Sequence, residues 1–338
     1  MDQRAFITGL SGAVLSEAER AFLASTKPCG LILFARNLVD HEQIRTLVDA
    51  FREAVGNAGA LVLIDQEGGR VQRLRPPLGR ALPPASVYSQ LAGGDKAGSI
   101  DAARAVSRLI AHDLRELGIT MNCTPVLDVP TPGAHGIIGD RAYGEDPDTI
   151  AAFGRAVAEG HIAGGVCPVI KHIPGHGRAK ADSHLELPVV DATLAELKRH
   201  DFRPFRLLAD APAAMTAHVV YTAIDPQNAA SVSAKVTADV MRGEIGFDGL
   251  LMSDDLAMKA LTGSFAARAA AVIAAGSDVA LHCNGNLEEM WEVAEAVPLL
   301  QGRSLQRLEA AVNLTRKAVP FDVAEAEKHL GRALSAIA

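Results

Sequence analysis

Short apolar runs alternate with longer amphipathic segments along the whole chain. Eight of these runs have the length and apolar content of buried β-strands. They cover residues 6–9, 31–34, 61–64, 120–123, 168–170, 213–217, 250–252 and 278–282.

Between the predicted strands, apolar residues recur at helical spacing. In one segment Ala102, Val106, Ile110 and Leu114 lie four positions apart, as on one face of an α-helix. Helices are predicted over residues 41–55, 97–117, 149–163, 194–208, 234–245, 266–275, 287–296, 305–318 and 324–337.

The repeated order of strand and helix predicts an α/β fold with a parallel sheet. Eight such strands favour closure into a (β/α)8 barrel of the TIM type. Because no Ser- or Gly-rich linker and no charge run divides the chain, we expect a single catalytic domain over residues 1–338. The C-terminal helices, about residues 303–338, should pack on it.

Polar and charged residues directly follow several predicted strands. These groups are segment 65–73, Lys171 with His172, His218, Ser253 with Asp254 and Asp255, and Asn284. In a parallel barrel the C-terminal ends of all strands open on one face, so the groups should meet at one mouth. Convergent polar groups there predict an active site. A capping role explains Asp255 when it is considered alone.

Segment 171–184, KHIPGHGRAKADSH, has the Pro and Gly content of a loop and carries three histidines and one aspartate. In one interpretation Asp182 orients His184 as a general acid/base that works near neutral pH. In another, this pair and the two remaining histidines, His172 and His176, bind a metal ion. The spacing matches no HExxH or CxxC template, so we predict no metal.

Composition and charge narrow the possible partners. The 338 residues carry 33 basic and 40 acidic side chains, a net charge of −7, without a Lys/Arg run. We therefore expect no nucleic acid or membrane partner. No signal-peptide pattern and no long apolar run is present, which predicts a cytoplasmic protein, and we expect a monomer.

The spacing of the cysteines and glycines favours neither disulfide bonds nor a dinucleotide-binding site. Four cysteines, Cys29, Cys123, Cys167 and Cys283, lie far apart in apolar runs and are predicted to be buried, reduced thiols. The glycines of the PGHG turn lack the third glycine of a dinucleotide motif, because Lys180 stands there. No cofactor is predicted.

Seven stretches of the chain match a known pattern. They are GLILFARN (30–37), DQEGGRVQRL (65–74), NCTPVLDV (122–129), IGDRAYGEDP (138–147), KHIPGHG with DSH (171–184), MTAHVVY (215–221) and GFDGLLMSDDLAMKAL (246–261). In this order they resemble glycoside hydrolase family 3, and most closely its single-domain bacterial β-N-acetylglucosaminidases. Ile173 stands where Phe is frequent, and Arg178 where an acidic residue is common.

The resemblance implies a retaining glycosidase and assigns its residues. Asp254 matches the nucleophile, and His184 with Asp182 matches the acid/base pair on a loop. The groups that hold the terminal sugar would be Asp65, Arg73, Arg141, Lys171 and His172. We interpret His176 as a residue that supports the loop.

The substrate should be small, because aromatic residues make up only 4% of the chain and long glycans are usually bound on stacked rings. The resemblance implies muropeptides of cell-wall recycling, in which GlcNAc is joined to anhydro-N-acetylmuramic acid with or without a peptide. Four alternatives stay open: a β-glucosidase or β-xylosidase of the same family, a phosphorylase, a sugar-binding barrel without activity, and a metal-dependent barrel hydrolase.

Overall fold

A computed structural model describes residues 2–183 and 185–337. Eight parallel strands form a closed barrel in which each strand pairs with its neighbours in the chain and the last pairs with the first. They are β1 Arg4–Thr8, β2 Pro28–Leu33, β3 Leu61–Ile64, β4 Met121–Asn122, β5 Cys167–Ile173, β6 Ala213–Thr216, β7 Leu250–Asp255 and β8 Val279–His282. The predicted (β/α)8 barrel is confirmed.

Helices surround the barrel. They are α1 Glu17–Thr26, α2 His41–Val55, α3 Ser86–Leu91, α4 Lys96–Glu116, α5 Pro147–Ala163, α6 Leu194–Arg199, α7 Arg203–Leu207, a π-helix Val236–Glu244, α8 Phe265–Ala274, α9 Leu287–Ala296, α10 Gly302–Leu314 and α11 Val323–Ser335. The C-terminal α11 packs against α4. In α2, Asp40 caps the first turn and Gly56 ends the helix in a left-handed conformation.

Two small sheets lie in the loops that follow barrel strands. Gln66–Gly68 pairs with Val71–Gln72 directly after β3, and Val220–Tyr221 joins Val189–Val190 to Asp225–Ala229 beyond β5 and β6. Both sheets stabilise loops at the C-terminal face of the barrel, where the site was predicted.

Two predicted helices differ from the structure. The single helix over residues 194–208 is wrong: α6 and α7 are separate, because Pro204 begins the second helix and Asp201 turns inward between them. The segment 234–245 is helical but mostly π-helical, as the hydrogen bond from Ile245 N to Val240 O shows.

Burial agrees with the predicted character of the thiols. Cys29, Cys123, Cys167 and Cys283 are buried and form no disulfide. Burial raises the pKa of the Cys29 thiol to about 12. No helix within residues 2–183 and 185–337 is long and apolar enough to cross a membrane.

Candidate active site

A cavity of about 250 Å³ opens at the C-terminal ends of the barrel strands. Its walls bring together six of the eight predicted site residues: Asp65, Arg73, Arg141, Lys171, His172 and Asp254. Asp182 lies on the loop after β5, outside this lining. The predicted acid/base His184 lies outside the described residues.

Asp65 follows β3 and accepts hydrogen bonds from two cations. Its Oδ1 lies 2.9 Å from Lys171 Nζ, and its Oδ2 lies 2.9 Å from Arg73 Nη2. Burial alone would raise the pKa of Asp65, but Lys171 and Arg73 hold it well below its usual range. Asp65 is therefore ionised at neutral pH.

Glu67 extends this network from Lys171 to Arg141. It lies two positions after Asp65 on an extended segment, so both side chains point to the same face. Its carboxylate forms a bidentate pair with Arg141, with both oxygens 2.8 Å from guanidinium nitrogens, and its Oε1 lies 2.7 Å from Lys171 Nζ. Burial opposes ionisation, yet Lys171 and Arg141 lower the pKa of Glu67.

Asp128 is a fully buried acid behind His172. Its Oδ2 accepts a hydrogen bond from His172 Nδ1 at 2.6 Å, and its Oδ1 accepts the backbone N–H groups of His172 at 3.1 Å and His176 at 2.6 Å. Burial raises the pKa of Asp128, but His172 and these hydrogen bonds lower it to about 2. Asp128 thus fixes the ring of His172, whose Nε2 is left for the cavity.

Asp254 is the penultimate residue of β7 and lines the cavity. Burial would raise its pKa, but His172, His218, the N–H of Asp255 and Lys171 together lower it. Lys171 thus lowers the pKa of Asp254, whereas Arg141 is paired with Glu67. Asp254 is therefore ionised beside the cavity, as a nucleophilic carboxylate must be.

Asp255 has a supporting role in the turn after β7. Its Oδ1 accepts the N–H groups of Ala257 at 3.0 Å and Cys283 at 3.1 Å, and its carbonyl accepts a hydrogen bond from His218 Nε2 at 3.1 Å. Burial and the neighbouring charge of Asp254 raise its pKa. The two adjacent aspartates thus have pKa values displaced in opposite directions, with the lower pKa at Asp254.

The loop between β5 and α6, residues 174–193, carries the predicted acid/base pair. At its base Gly177 lies against the backbone of Val129 with no room for a Cβ atom. Arg178, which departs from the family pattern, pairs with the buried Asp201 at 2.6 Å. Asp182 is half-buried, and its carbonyl accepts the N–H of Leu185 at 2.9 Å.

Sequence reasoning missed Glu67 and Asp128. The signal for Glu67 was the shared face of alternate residues in an extended segment. The signal for Asp128 was an acid within the apolar stretch NCTPVLDV, since a buried carboxylate requires partners. Within residues 2–183 and 185–337, no three His, Cys, Asp or Glu side chains form a metal-binding group.

Residues 7–315 match the glycosyl hydrolase family 3 N-terminal domain. A β-hexosaminidase of Chromobacterium violaceum is 39% identical over 311 residues, covering 91% of this chain and 86% of that protein. The chain belongs to glycoside hydrolase family 3. A second relative in the family, the β-hexosaminidase of Aromatoleum aromaticum, is 36% identical over 321 residues, covering 92% of this chain and 88% of that protein.

Solved structures of family 3 enzymes have the same fold. NagZ from Neisseria gonorrhoeae, in complex with N-trifluoroacetyl-D-glucosamine, is 30% identical with a TM-score of 0.87 and covers 98% of both chains. A family 3 β-N-acetylglucosaminidase from Paenibacillus sp. str. FPU-7 is 29% identical with a TM-score of 0.87, covering 98% of this chain and 67% of that one. The prediction of a glycoside hydrolase is confirmed, and the sugar-binding barrel without activity is set aside.

Proposed function

We propose that this family 3 hydrolase is a retaining exo-β-N-acetylglucosaminidase. It removes terminal, non-reducing GlcNAc from muropeptides, GlcNAc–anhydro-N-acetylmuramic acid with or without a peptide, during cell-wall recycling in the cytoplasm. The observation that carries the proposal is an ionised Asp254 in the wall of a small cavity whose other side is a network of paired cations and carboxylates.

The size of the cavity favours an exo-acting enzyme. Pockets for drug-sized ligands have volumes of roughly 300–1,000 Å³. A cavity of about 250 Å³ therefore suits one terminal sugar ring rather than several. Phe34 is the one Phe, Tyr or Trp in the described lining, and Arg36 and Arg73 each stack on its ring, 4.9 Å from its centre. This arrangement offers little aromatic surface to a long glycan.

The comparisons support the choice of sugar. The relatives from Chromobacterium violaceum and Aromatoleum aromaticum are named β-hexosaminidases, and the Neisseria gonorrhoeae structure holds an N-acylated glucosamine. In this chain, Asp65, Arg73 and Lys171 present charged hydrogen-bonding groups that suit sugar hydroxyls. Arg141 and His172 complete the proposed set of sugar-binding residues.

The mechanism requires two steps at the anomeric carbon. An Asp254 oxygen attacks this carbon while His184 protonates the glycosidic oxygen, so the C–O bond to the leaving group breaks and a glycosyl-enzyme ester forms. The resulting neutral His184 takes a proton from water, which attacks the same carbon and releases Asp254. Asp182 supports the imidazolium form of His184 by its negative charge. Two inversions give net retention.

The test is a substrate panel with three readouts. Aryl β-glycosides of GlcNAc, glucose and xylose measure sugar preference, and proton NMR of the first product measures its anomeric form. We expect a preference for GlcNAc, β-GlcNAc as first product, and release of GlcNAc from GlcNAc–anhydro-N-acetylmuramic acid. A preference for glucose or xylose contradicts the proposal, as does GlcNAc-1-phosphate as the main product in phosphate buffer.

A second experiment tests the acid/base assignment. His184→Ala should lower kcat/KM strongly for phenyl β-GlcNAc, whose leaving group needs protonation, and much less for the activated 2,4-dinitrophenyl glycoside. Equal losses on the two substrates would remove His184 from this role.

A further inference from the structure

We infer that His176 is a positioning residue for acid catalysis: it holds Ser183, and through Ser183 it sets the position of the chain segment that carries Asp182 and His184. The inference rests on the proposed acid/base role of His184. It concerns buried side chains outside the hydrogen bonds that join Asp65, Arg73 and Lys171, although the ring of His176 packs against that of His172.

His176 is attached to the barrel through Asp128. Its backbone N–H donates to Asp128 Oδ1 at 2.6 Å, and the other oxygen of Asp128 binds the ring of His172. The rings of His172 and His176 meet edge to face, with centroids 5.7 Å apart. His172, which lines the cavity, and His176, at the base of the loop, therefore share the buried carboxylate of Asp128.

His176 also contacts the outer part of the loop, at Ser183. His176 Nε2 and Ser183 Oγ lie 3.1 Å apart and share a hydrogen bond across seven positions of the chain. Both side chains are buried. The carbonyl of Ser183 also accepts the N–H of Ala260 at 3.3 Å, which links the loop to the segment that follows Asp254 and β7.

The base of the loop is fixed independently. Tyr221 donates its hydroxyl to the carbonyl of Gly175, and a Cβ atom at Gly177 would meet Val129 O at 2.0 Å. Arg178, Lys180 and Asp182, farther out, are at least partly exposed. Because the base is fixed and Ser183 has its own buried contact, the His176 side chain links the barrel to the segment that carries Asp182, alongside the backbone hydrogen bond from Ala260 to Ser183.

The protonation state of His176 suits this role. Burial lowers its pKa to about 4, against the opposing influence of Asp128. His176 is thus neutral near neutral pH, and its Nε2 can share a hydrogen bond with the Ser183 hydroxyl without adding a buried positive charge. A buried hydroxyl requires a hydrogen-bond partner, so removal of the imidazole also disturbs Ser183.

Loss of the contact between His176 and Ser183 should affect the protonation of the leaving group. A proton donor must lie within hydrogen-bond reach of the leaving oxygen, and displacement of a catalytic group by about 1 Å can cost on the order of 10²-fold in rate. Loss of the link should therefore impair the protonation of poor leaving groups. It should change KM less than kcat, because Asp65, Arg73 and Lys171 pair with one another and the ring of His172 is held by Asp128 rather than by His176.

The experiment uses the full chain with His176→Leu, His176→Gln, Ser183→Ala, the Leu/Ala double variant and His184→Ala. His161→Gln is the matched control, since His161 is also buried with its pKa lowered to about 4 but lies on α5. Each protein is assayed with phenyl and 2,4-dinitrophenyl β-GlcNAc. Hydrogen–deuterium exchange is measured over residues 177–187.

We expect His176→Leu and Ser183→Ala to lower kcat for the phenyl glycoside about 10- to 100-fold and for the dinitrophenyl glycoside less than about 3-fold. The double variant should be no worse than either single variant. His176→Gln, whose amide reaches a similar position to Nε2, should recover most of the rate. Exchange over residues 177–187 should rise in the Leu and Ala variants, and His161→Gln should leave both readouts unchanged.

Two results separate failure of the inference from failure of the proposed function. Unchanged exchange, or equal losses on both substrates in His176→Leu and Ser183→Ala, overturns the inference even when His184→Ala shows the steep leaving-group dependence. If His184→Ala lowers the rate equally for the phenyl and the dinitrophenyl glycoside, the acid/base assignment is overturned. The catalytic part of the inference then fails with it. Ser183→Ala keeps the test decisive if His176→Leu does not fold.

Discussion

Glu67 forms a bidentate ion pair with Arg141, which lines the cavity, and each carboxylate oxygen lies 2.8 Å from a guanidinium nitrogen. Both side chains are at least nine-tenths buried. Glu67 Oε1 also lies 2.7 Å from Lys171 Nζ, so one carboxylate contacts two cations of the proposed sugar-binding set. The pair therefore contributes to the stability of the barrel mouth as well as to its charge pattern.

Glu67→Gln should destabilise the fold, because Arg141 would keep its charge in a buried site without a charged partner. Breaking a buried pair from one side costs about 3–5 kcal/mol in the free energy of unfolding. Urea denaturation of the wild type and of Glu67→Gln measures this difference in the free energy of unfolding. Glu325→Gln, which removes an exposed pair with Lys328, is the control and should leave the midpoint unchanged. Equal midpoints for the two variants would contradict a structural role for Glu67.

Asp65→Asn should impair sugar binding. The substitution removes the charge that faces Lys171 and Arg73 and weakens the acceptor offered to a sugar hydroxyl. Two charge-assisted hydrogen bonds to sugar hydroxyls at about 1.5–3 kcal/mol each predict a loss in kcat/KM on the order of 10²- to 10⁴-fold. Asp140→Asn, at the exposed pair with Arg70, should cost less than about 3-fold. Similar losses in both variants would argue that Asp65 acts only through the general charge of the mouth.

The stability of the protein should fall as the pH decreases from 6.5 to 4. Burial lowers the pKa of His176 from 6.5 to about 4 in the folded chain, so the unfolded chain binds the proton more readily in this window. The contribution of His176 is complete above pH 6.5 and is lost as the pH falls through 4, a change of roughly 3 kcal/mol.

Urea unfolding at pH 7, 6, 5 and 4 checks this dependence in the wild type and in His176→Gln. The variant should lose less stability over the window, because it lacks the titrating group. His161, whose pKa is also lowered to about 4 by burial, contributes equally to both proteins. Identical pH slopes would show that His176 does not titrate as its burial requires.

The fold was accessible from the sequence because the pattern of apolar runs is strong. All eight strands were found, yet β5 and β7 extend beyond the predicted residues 168–170 and 250–252 to Ile173 and Asp255. The apolar runs stop where the functional groups begin, whereas the backbone pairing continues through Lys171 and Asp254. Strand ends at an active site are therefore shortened by any prediction based on hydrophobicity.

The site was only partly accessible. Strand-end position indicated Asp65, Lys171, His172 and Asp254, because parallel strands bring such residues to one face. Arg141 lies in a loop after β4 with no regular spacing from these groups, and only the family resemblance assigned it. Partnerships between distant segments, such as Asp128 with His172, depend on the folded loops and leave no periodic signal.

During turnover Asp254 should form a covalent bond to the anomeric carbon of GlcNAc. The most direct measurement is mass spectrometry of the full chain after incubation with 5-fluoro-N-acetylglucosaminyl fluoride, whose fluorine at C5 slows hydrolysis of the intermediate. We predict a mass increase of one 5-fluoro-GlcNAc unit, located on the peptide that contains Asp254 and absent from Asp254→Asn. A label on Asp255 or on another carboxylate would show that Asp254 is not the nucleophile.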